Sequence, residues 1–287
     1  MPRPDYDNAM NLLRIQKRTD AFLYYYTSDT TFFKMLDNLR IKTSRFNAVN
    51  DLDEANLDCL GGYWIKKPKI REFVNNKCRF VSFVHDEPFI EGTSHPRMWS
   101  QYANDNKGVC LVLNREKLLD TCKKQYGKDS YKIGDIQYVY SKYALKKDER
   151  EIEANCKLLD VEQIIRQYHH ELLFTKHIDW EHEYETRLLF FNEVQWLPID
   201  GCIEGICLGR KFIEDKSNIV QLIEIIKNDN YKYKGYITKD CFGLVAVVED
   251  GYTCESIRQT FHIEKVLGKT VNELERRIKT LQEFQKA

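Results

Sequence analysis

In the stretch WEHEYETRLLFF, Trp180 to Phe191, Glu183 and Glu185 stand one residue apart, followed by an arginine and then large apolar residues. Read as a strand from Tyr184 to Phe191, its side chains alternate, so Glu183, Glu185 and Arg187 share one face with Leu189 and Phe191. Carboxylates roughly 7 Å apart raise each other's pKa, and a neighbouring guanidinium lowers both. Such a pair can divide labour, one member stabilising positive charge and the other handling a proton. Two plainer readings stand beside this one. The row can be a charged sheet margin held by surface ion pairs worth about 0–1 kcal/mol. On a helix, Glu183 and Arg187 would be an ordinary i,i+4 pair.

Other groups carry weaker signals. In MWSQYANDNKG, Trp99 and Tyr102 lie three apart on one helical face, where two exposed rings would sandwich a flat ligand or cover a core. Asn104, Asn106 and Gly108 are turn residues. Asn50, Asp51, Asp53 and Glu54 resemble a calcium loop only loosely, because the glycine and the terminal bidentate glutamate are missing. His169 and His170 are adjacent on a helix and diverge by about 100°. His182-Glu183 opens an HExxH motif that Thr186 fails to close, and LGKT at Leu267 lacks the leading glycine of a phosphate loop.

These side chains need a scaffold. DAFLYYYTS reads as a strand, and SDTTFFKMLDNLRI as a helix capped by Ser28 or Asp29. CRFVSFVHD alternates, with Phe80, Ser82 and Val84 on one side and Val81 and Phe83 on the other. A short helix, a turn and a strand from Val109 follow, then a strand in DIQYVYS. From 146 to 176 the pattern is helical, with Leu158, Leu159, Ile164, Ile165 and Leu172 on one side of an amphipathic stretch that leaves room for one break. EGICLGR and GLVAVVE read as strands, SNIVQLIEIIKN as a helix, and residues 270–286 as a helix opened by a Thr270–Glu273 capping box. Residues 1–20 form a lead-in, and 21–287 a single domain. Strands and helices mix without a βαβ rhythm. The expected class is α+β, a mixed, mostly antiparallel sheet flanked by helices.

Composition narrows the function. Lys+Arg and Asp+Glu are both 44, so the basic excess of a nonspecific nucleic-acid binder is missing. The nine cysteines are irregularly spaced with no CxxC pair, as for reduced thiols rather than a zinc site, and no metal ligand set emerges. Without a secretory h-region or a run of about 20 apolar residues, a cytoplasmic protein making no membrane contact is expected.

Four stretches in order, LYYYTS, RFNAVNDLDE, VSF…MWSQYANDNKGVCL and the Trp180–Glu183–Glu185–Arg187 series, resemble a bacterial family known as a domain of unknown function, DUF2971. The resemblance spans residues 20 to 215 and departs at Leu52, where the family has proline. The family supplies no reaction. The motif order is more distantly similar to ADP-ribosyltransferases, which implies that Tyr25-Tyr26-Thr27, Val81-Ser82-Phe83 and Glu183-Tyr184-Glu185 occupy that fold's three motif positions, with Tyr25 replacing the usual histidine.

That likeness implies NAD as substrate and a protein or nucleic-acid acceptor. Glu185 would stabilise the oxocarbenium-like charge formed when nicotinamide leaves, and Glu183 would position or deprotonate the acceptor. Tyr25, Thr27 and Ser82 would hold ribose or amide groups, Trp99 or Tyr102 would stack on a ring, and Arg45 or Arg187 would meet phosphate. Two alternatives stay open. One is a non-catalytic nucleotide-binding sensor or effector module of a bacterial stress or phage-defence system. The other is a metal-dependent nuclease using Asp51, Asp53, Glu183 and Glu185.

Overall fold

The computed structural model describes residues 21–36, 38–49, 67–87, 92–140, 158–212, 215, 217–218, 221 and 245–247. In chain order the elements are β1 (Phe22–Thr27), α1 (Asp29–Leu36), β2 (Arg40–Lys42), α2 (Lys67–Asn76), β3 (Arg79–Val84), α3 (Pro96–Gln101), β4 (Val109–Asn114) and α4 (Arg115–Tyr126). There follow β5 (Tyr131–Asp135), β6 (Gln137–Val139), α5 (Val161–Gln167), α6 (His169–Leu173), β7 (Thr175–His177), β8 (Glu185–Phe190), β9 (Trp196–Pro198), β10 (Ile203–Leu208) and β11 (Val245–Val247). The chain divides into two compact units, each assembled from separate stretches.

The first unit comprises 1–39, 86–118 and 199–287. Its strands run in the order β11-β10-β4-β1. β1 pairs antiparallel with β4, setting Tyr25 opposite Leu111 and Tyr26 opposite Cys110. β10 pairs antiparallel with β4 and parallel with β11. The side chain of Ser28 accepts from Thr31 N at 3.2 Å, which caps α1 as its sequence predicts. Between α3 and β4, Asn104, Asp105 and Asn106 all take left-handed backbone (φ 48°, 51° and 66°), a conformation that asparagine and aspartate tolerate best after glycine. Gly108 closes this turn where the Thr27 carbonyl comes too near for a Cβ.

The second unit comprises 40–85 and 119–198. β8 is its centre, antiparallel to β3 on one side and to β5 on the other. Ser82 and Gly134 both stand opposite Arg187. β2 pairs antiparallel with β9, and β6 pairs parallel with β7. Phe46, Ile70, Val74, Phe80, Ile164, Ile165, Leu172, Phe174 and Leu189 form the core. It is built from the apolar faces of α2, α5 and α6 and one face of the strands. Asp160 caps α5 by accepting from Gln163 N at 2.8 Å, and the Gln163 side chain reaches back to Asp160 N at 3.0 Å.

The α+β class and the mostly antiparallel pairing stand as expected. Among its described residues, the helical stretch expected over 146–176 is broken at Tyr168 into α5 and α6, the single break its pattern left room for, but its end differs: Thr175–His177 are strand. Leu158, expected on the buried face, is exposed. The lead-in at 1–20, the loop at 50–54 and the helix at 270–286 lie outside the described residues.

Candidate active site around Glu185

The centre of the second unit carries a charge cluster inside the fold. Relative exposures are 3% for Glu183, 2% for Glu185, 0% for Arg187 and 6% for Lys176. This overturns the reading of a solvated sheet margin. β8 starts at Glu185, so only Glu185 and Arg187 share a strand face, and Arg187 Nε donates to Glu185 Oε1 at 2.8 Å. Glu183 is not on that strand. It ends a 3-10 turn, Ile178–Glu183, and Tyr184 follows in left-handed backbone (φ 48°, ψ 48°). For a residue with a Cβ that conformation costs roughly 1–2 kcal/mol. The reversal returns the Glu183 carboxylate toward the same cation that Glu185 meets.

That cation is Lys176, on β7. Its Nζ donates to Glu183 Oε2 at 2.8 Å and lies 2.7 Å from Glu185 Oε2. Glu185 Oε2 accepts no hydrogen bond, so this contact is an ion pair without a directed bond. Arg187 extends into the apolar core, its guanidinium 4.5 Å from the Phe80 ring centre, and donates to the Leu173 carbonyl at 2.6 Å. Tyr138 OH accepts from Glu185 N at 2.9 Å. Two cations face two carboxylates, so the cluster is neutral as a whole, and burial of its charges is compensated by pairing.

Burial alone would raise the pKa of Glu185. Arg187, by its charge and its hydrogen bond, and Lys176, by its charge, overcome it and hold the carboxyl at about 2. At neutral pH Glu185 is therefore a carboxylate and a poor proton acceptor, suited to fixing charge and hydrogen bonds. Ser82 is where the cluster meets solvent. It is the exposed residue of an otherwise buried β3, and its hydroxyl donates to Glu185 Oε1 at 2.6 Å.

The other face of β8 carries a second polar network. Thr186 donates to Asp135 Oδ1 at 2.5 Å, and His85 Nδ1 lies 3.0 Å from Thr186 Oγ1. The threonine proton is committed to Asp135, which leaves Oγ1 to accept from a protonated His85 Nδ1.

The expected site residues divide between the units. Ser82, Glu183, Glu185 and Arg187 come together in the second. Arg45, in the same unit, is exposed at the start of a 3-10 turn. Arg187 is sealed in the core, which corrects its expected role as a phosphate ligand. Tyr25, Thr27, Trp99 and Tyr102 belong to the first unit. Trp99 is a core residue there rather than a stacking platform. It is 3% exposed, its Nε1 donates to Thr93 O at 2.7 Å, and it meets Tyr26 edge-on at 5.1 Å. Thr27 is buried, Tyr102 is half-buried at the end of α3, and burial pushes the Tyr25 phenol up to about 12. Sequence reasoning missed Lys176 and Tyr138. Lys176 left a signal: a lone lysine in the apolar run LLFTKHI must find a partner if that run is buried.

β7 and most of β8 lie within a stretch that matches a family model. Residues 98–188 match the family model DUF2971, protein of unknown function. The family suggested by the sequence motifs is thus the one found, over a stretch running from Met98 in α3 to Leu188 in β8. The DUF2971 match takes in Lys176, Glu183, Glu185 and Arg187, and Ser82 lies outside it. No curated protein and no solved structure matches the chain. Among the described residues no group of three or more His, Cys, Asp or Glu is placed to hold a metal, and Asp51 and Asp53 lie outside those residues. Among the described residues, too, no helix is long and apolar enough to cross a membrane.

Proposed function

We propose that the chain is a nucleotide-binding protein, a sensor or effector module that engages its ligand at Ser82 above a rigid, charge-balanced floor. The Ser82 hydroxyl carries this reading. It is exposed, yet its one proton is given to Glu185. Only lone pairs remain for a ligand, so the ligand must bring an O–H or N–H donor. A ribose hydroxyl meets that requirement, and so does the carboxamide of NAD. Glu183, Glu185, Lys176 and Arg187 would keep the serine in one orientation and take no part in proton transfer.

A second reading, an NAD-consuming ADP-ribosyltransferase or glycohydrolase, draws on one observation. Glu185 is held ionised well below neutral pH, as a carboxylate facing an oxocarbenium-like ribose must be. Against it, Arg187 and Lys176 already balance that charge.

Calorimetric titration with NAD and ATP, together with an assay for released nicotinamide, separates the two. The module predicts binding without release, weakened roughly fivefold in Ser82→Ala, where a hydrogen bond worth about 1 kcal/mol is lost. The enzyme predicts release that Glu185→Gln abolishes while the fold persists. If neither nucleotide gives heat, both readings fall.

A further inference from the structure

The second unit has a concave surface that Ser82 does not line. A cavity of about 450 Å³ is lined by Arg40, Gln125, Tyr126, Asn192, Gln195 and Trp196, among others. We propose that this groove is a site for a nucleoside phosphate, either free or within a single strand. The proposal does not rest on the Ser82 reading.

Arg40 and Trp196 form its platform. The Arg40 guanidinium lies 4.2 Å from the centre of the Trp196 ring, and Trp196 is exposed. Stacking leaves the N–H edges of the guanidinium directed outward in its own plane, the geometry that grips phosphate oxygens in pairs. No carboxylate claims those edges among the described residues. Glu193, on the groove's wall, is engaged by Lys77 at 3.2 Å. Trp196 is held in place twice: β9 pairs with β2, placing it opposite Lys42, and Tyr126 OH donates to its carbonyl at 2.6 Å. A fixed aromatic ring beside an arginine is a surface on which bases stack regardless of sequence. The carboxamides of Gln125, Asn192 and Gln195 offer both donors and acceptors to a base edge. Exposed Lys42, Lys123 and Lys124 add positive charge in the elements that frame the groove, which favours a strand over a free mononucleotide.

The test is fluorescence anisotropy of a labelled eight-nucleotide adenylate strand on the full chain, with competition by free AMP. Binding should weaken at least about tenfold in Arg40→Gln and in Trp196→Leu, and stay unchanged in Lys69→Gln, an exposed residue of α2 outside the groove. Displacement by AMP at comparable concentration identifies the free nucleotide as the ligand; displacement only by unlabelled strand identifies the polymer. Should either single variant lose its circular dichroism signature, the double variant Asn192→Ala/Gln195→Ala replaces it and should also bind more weakly. Failure of both probes to bind overturns the proposal. So does wild-type affinity in the folded groove variants.

Discussion

Replacing Arg187 by methionine removes one of two cations from a cluster that holds two carboxylates. Methionine keeps most of the apolar contact with Phe80, so the loss is chiefly electrostatic. Glu185 would keep Lys176 and Ser82, but Glu183 competes for the same ammonium, and one net negative charge would stay buried. Breaking a buried ion pair from one side costs about 3–5 kcal/mol, a large share of a typical total stability of roughly 5–15 kcal/mol. The Leu173 carbonyl would also lose its donor. Adding Glu185→Gln restores neutrality, because Lys176 then pairs with Glu183 alone. The double variant should return to within about 1–2 kcal/mol of wild type, a recovery of about 2–3 kcal/mol over the single variant. Urea unfolding followed by circular dichroism, with the slope checked for constancy, measures all three proteins. A single variant costing less than about 1 kcal/mol, or a double variant no more stable than the single, would refute the account of the cluster as a buried, mutually neutralising set.

Three further outcomes follow from the geometry. Glu185 titrates at about 2 in the fold, against roughly 4.3 in an unfolded chain. A lowered folded pKa supplies stability that is complete above the unfolded value and is lost as pH falls through the folded one. Melting temperature should therefore drop between about pH 4.5 and 2, and Glu185→Gln should flatten that limb. Gly108→Ala would drive a Cβ into the Thr27 carbonyl and should cost about 2–4 kcal/mol in the same denaturation assay. Gly127→Ala meets no close neighbour, but φ 85° with ψ 151° is backbone essentially confined to glycine, so it should cost about 1–3 kcal/mol through strain alone.

Much of the fold was legible because its signals are local. The alternation in CRFVSFVHD, the Ser28 cap and the turn chemistry of Asn104 to Gly108 each act within a few residues, and each element stands where its pattern places it. The candidate site was half legible. Spacing of two correctly joined Glu185 to Arg187, because strand geometry holds between them. Applied to Glu183 the same rule failed, since Tyr184 turns left-handed and no period of two or 3.6 survives such a residue. Burial was read wrongly for a different reason. Charged side chains are almost never sealed without partners, and the decisive partner, Lys176, comes from another strand. Trp99 illustrates the converse. A ring three residues from another on a short helix signals an apolar face, but only tertiary packing decides whether that face meets a ligand or the Tyr26 ring.

The quartet of Lys176, Glu183, Glu185 and Arg187 also changes how the protein answers to its medium. Mobile ions screen charges that water reaches, over about 8 Å at physiological ionic strength, and they do not enter a sealed interior. Added salt should erode the exposed Lys77–Glu193 and Lys117–Glu204 contacts while leaving the interior set at full strength. The strongest electrostatics in this unit are thereby insulated from the osmotic history of the solution around it.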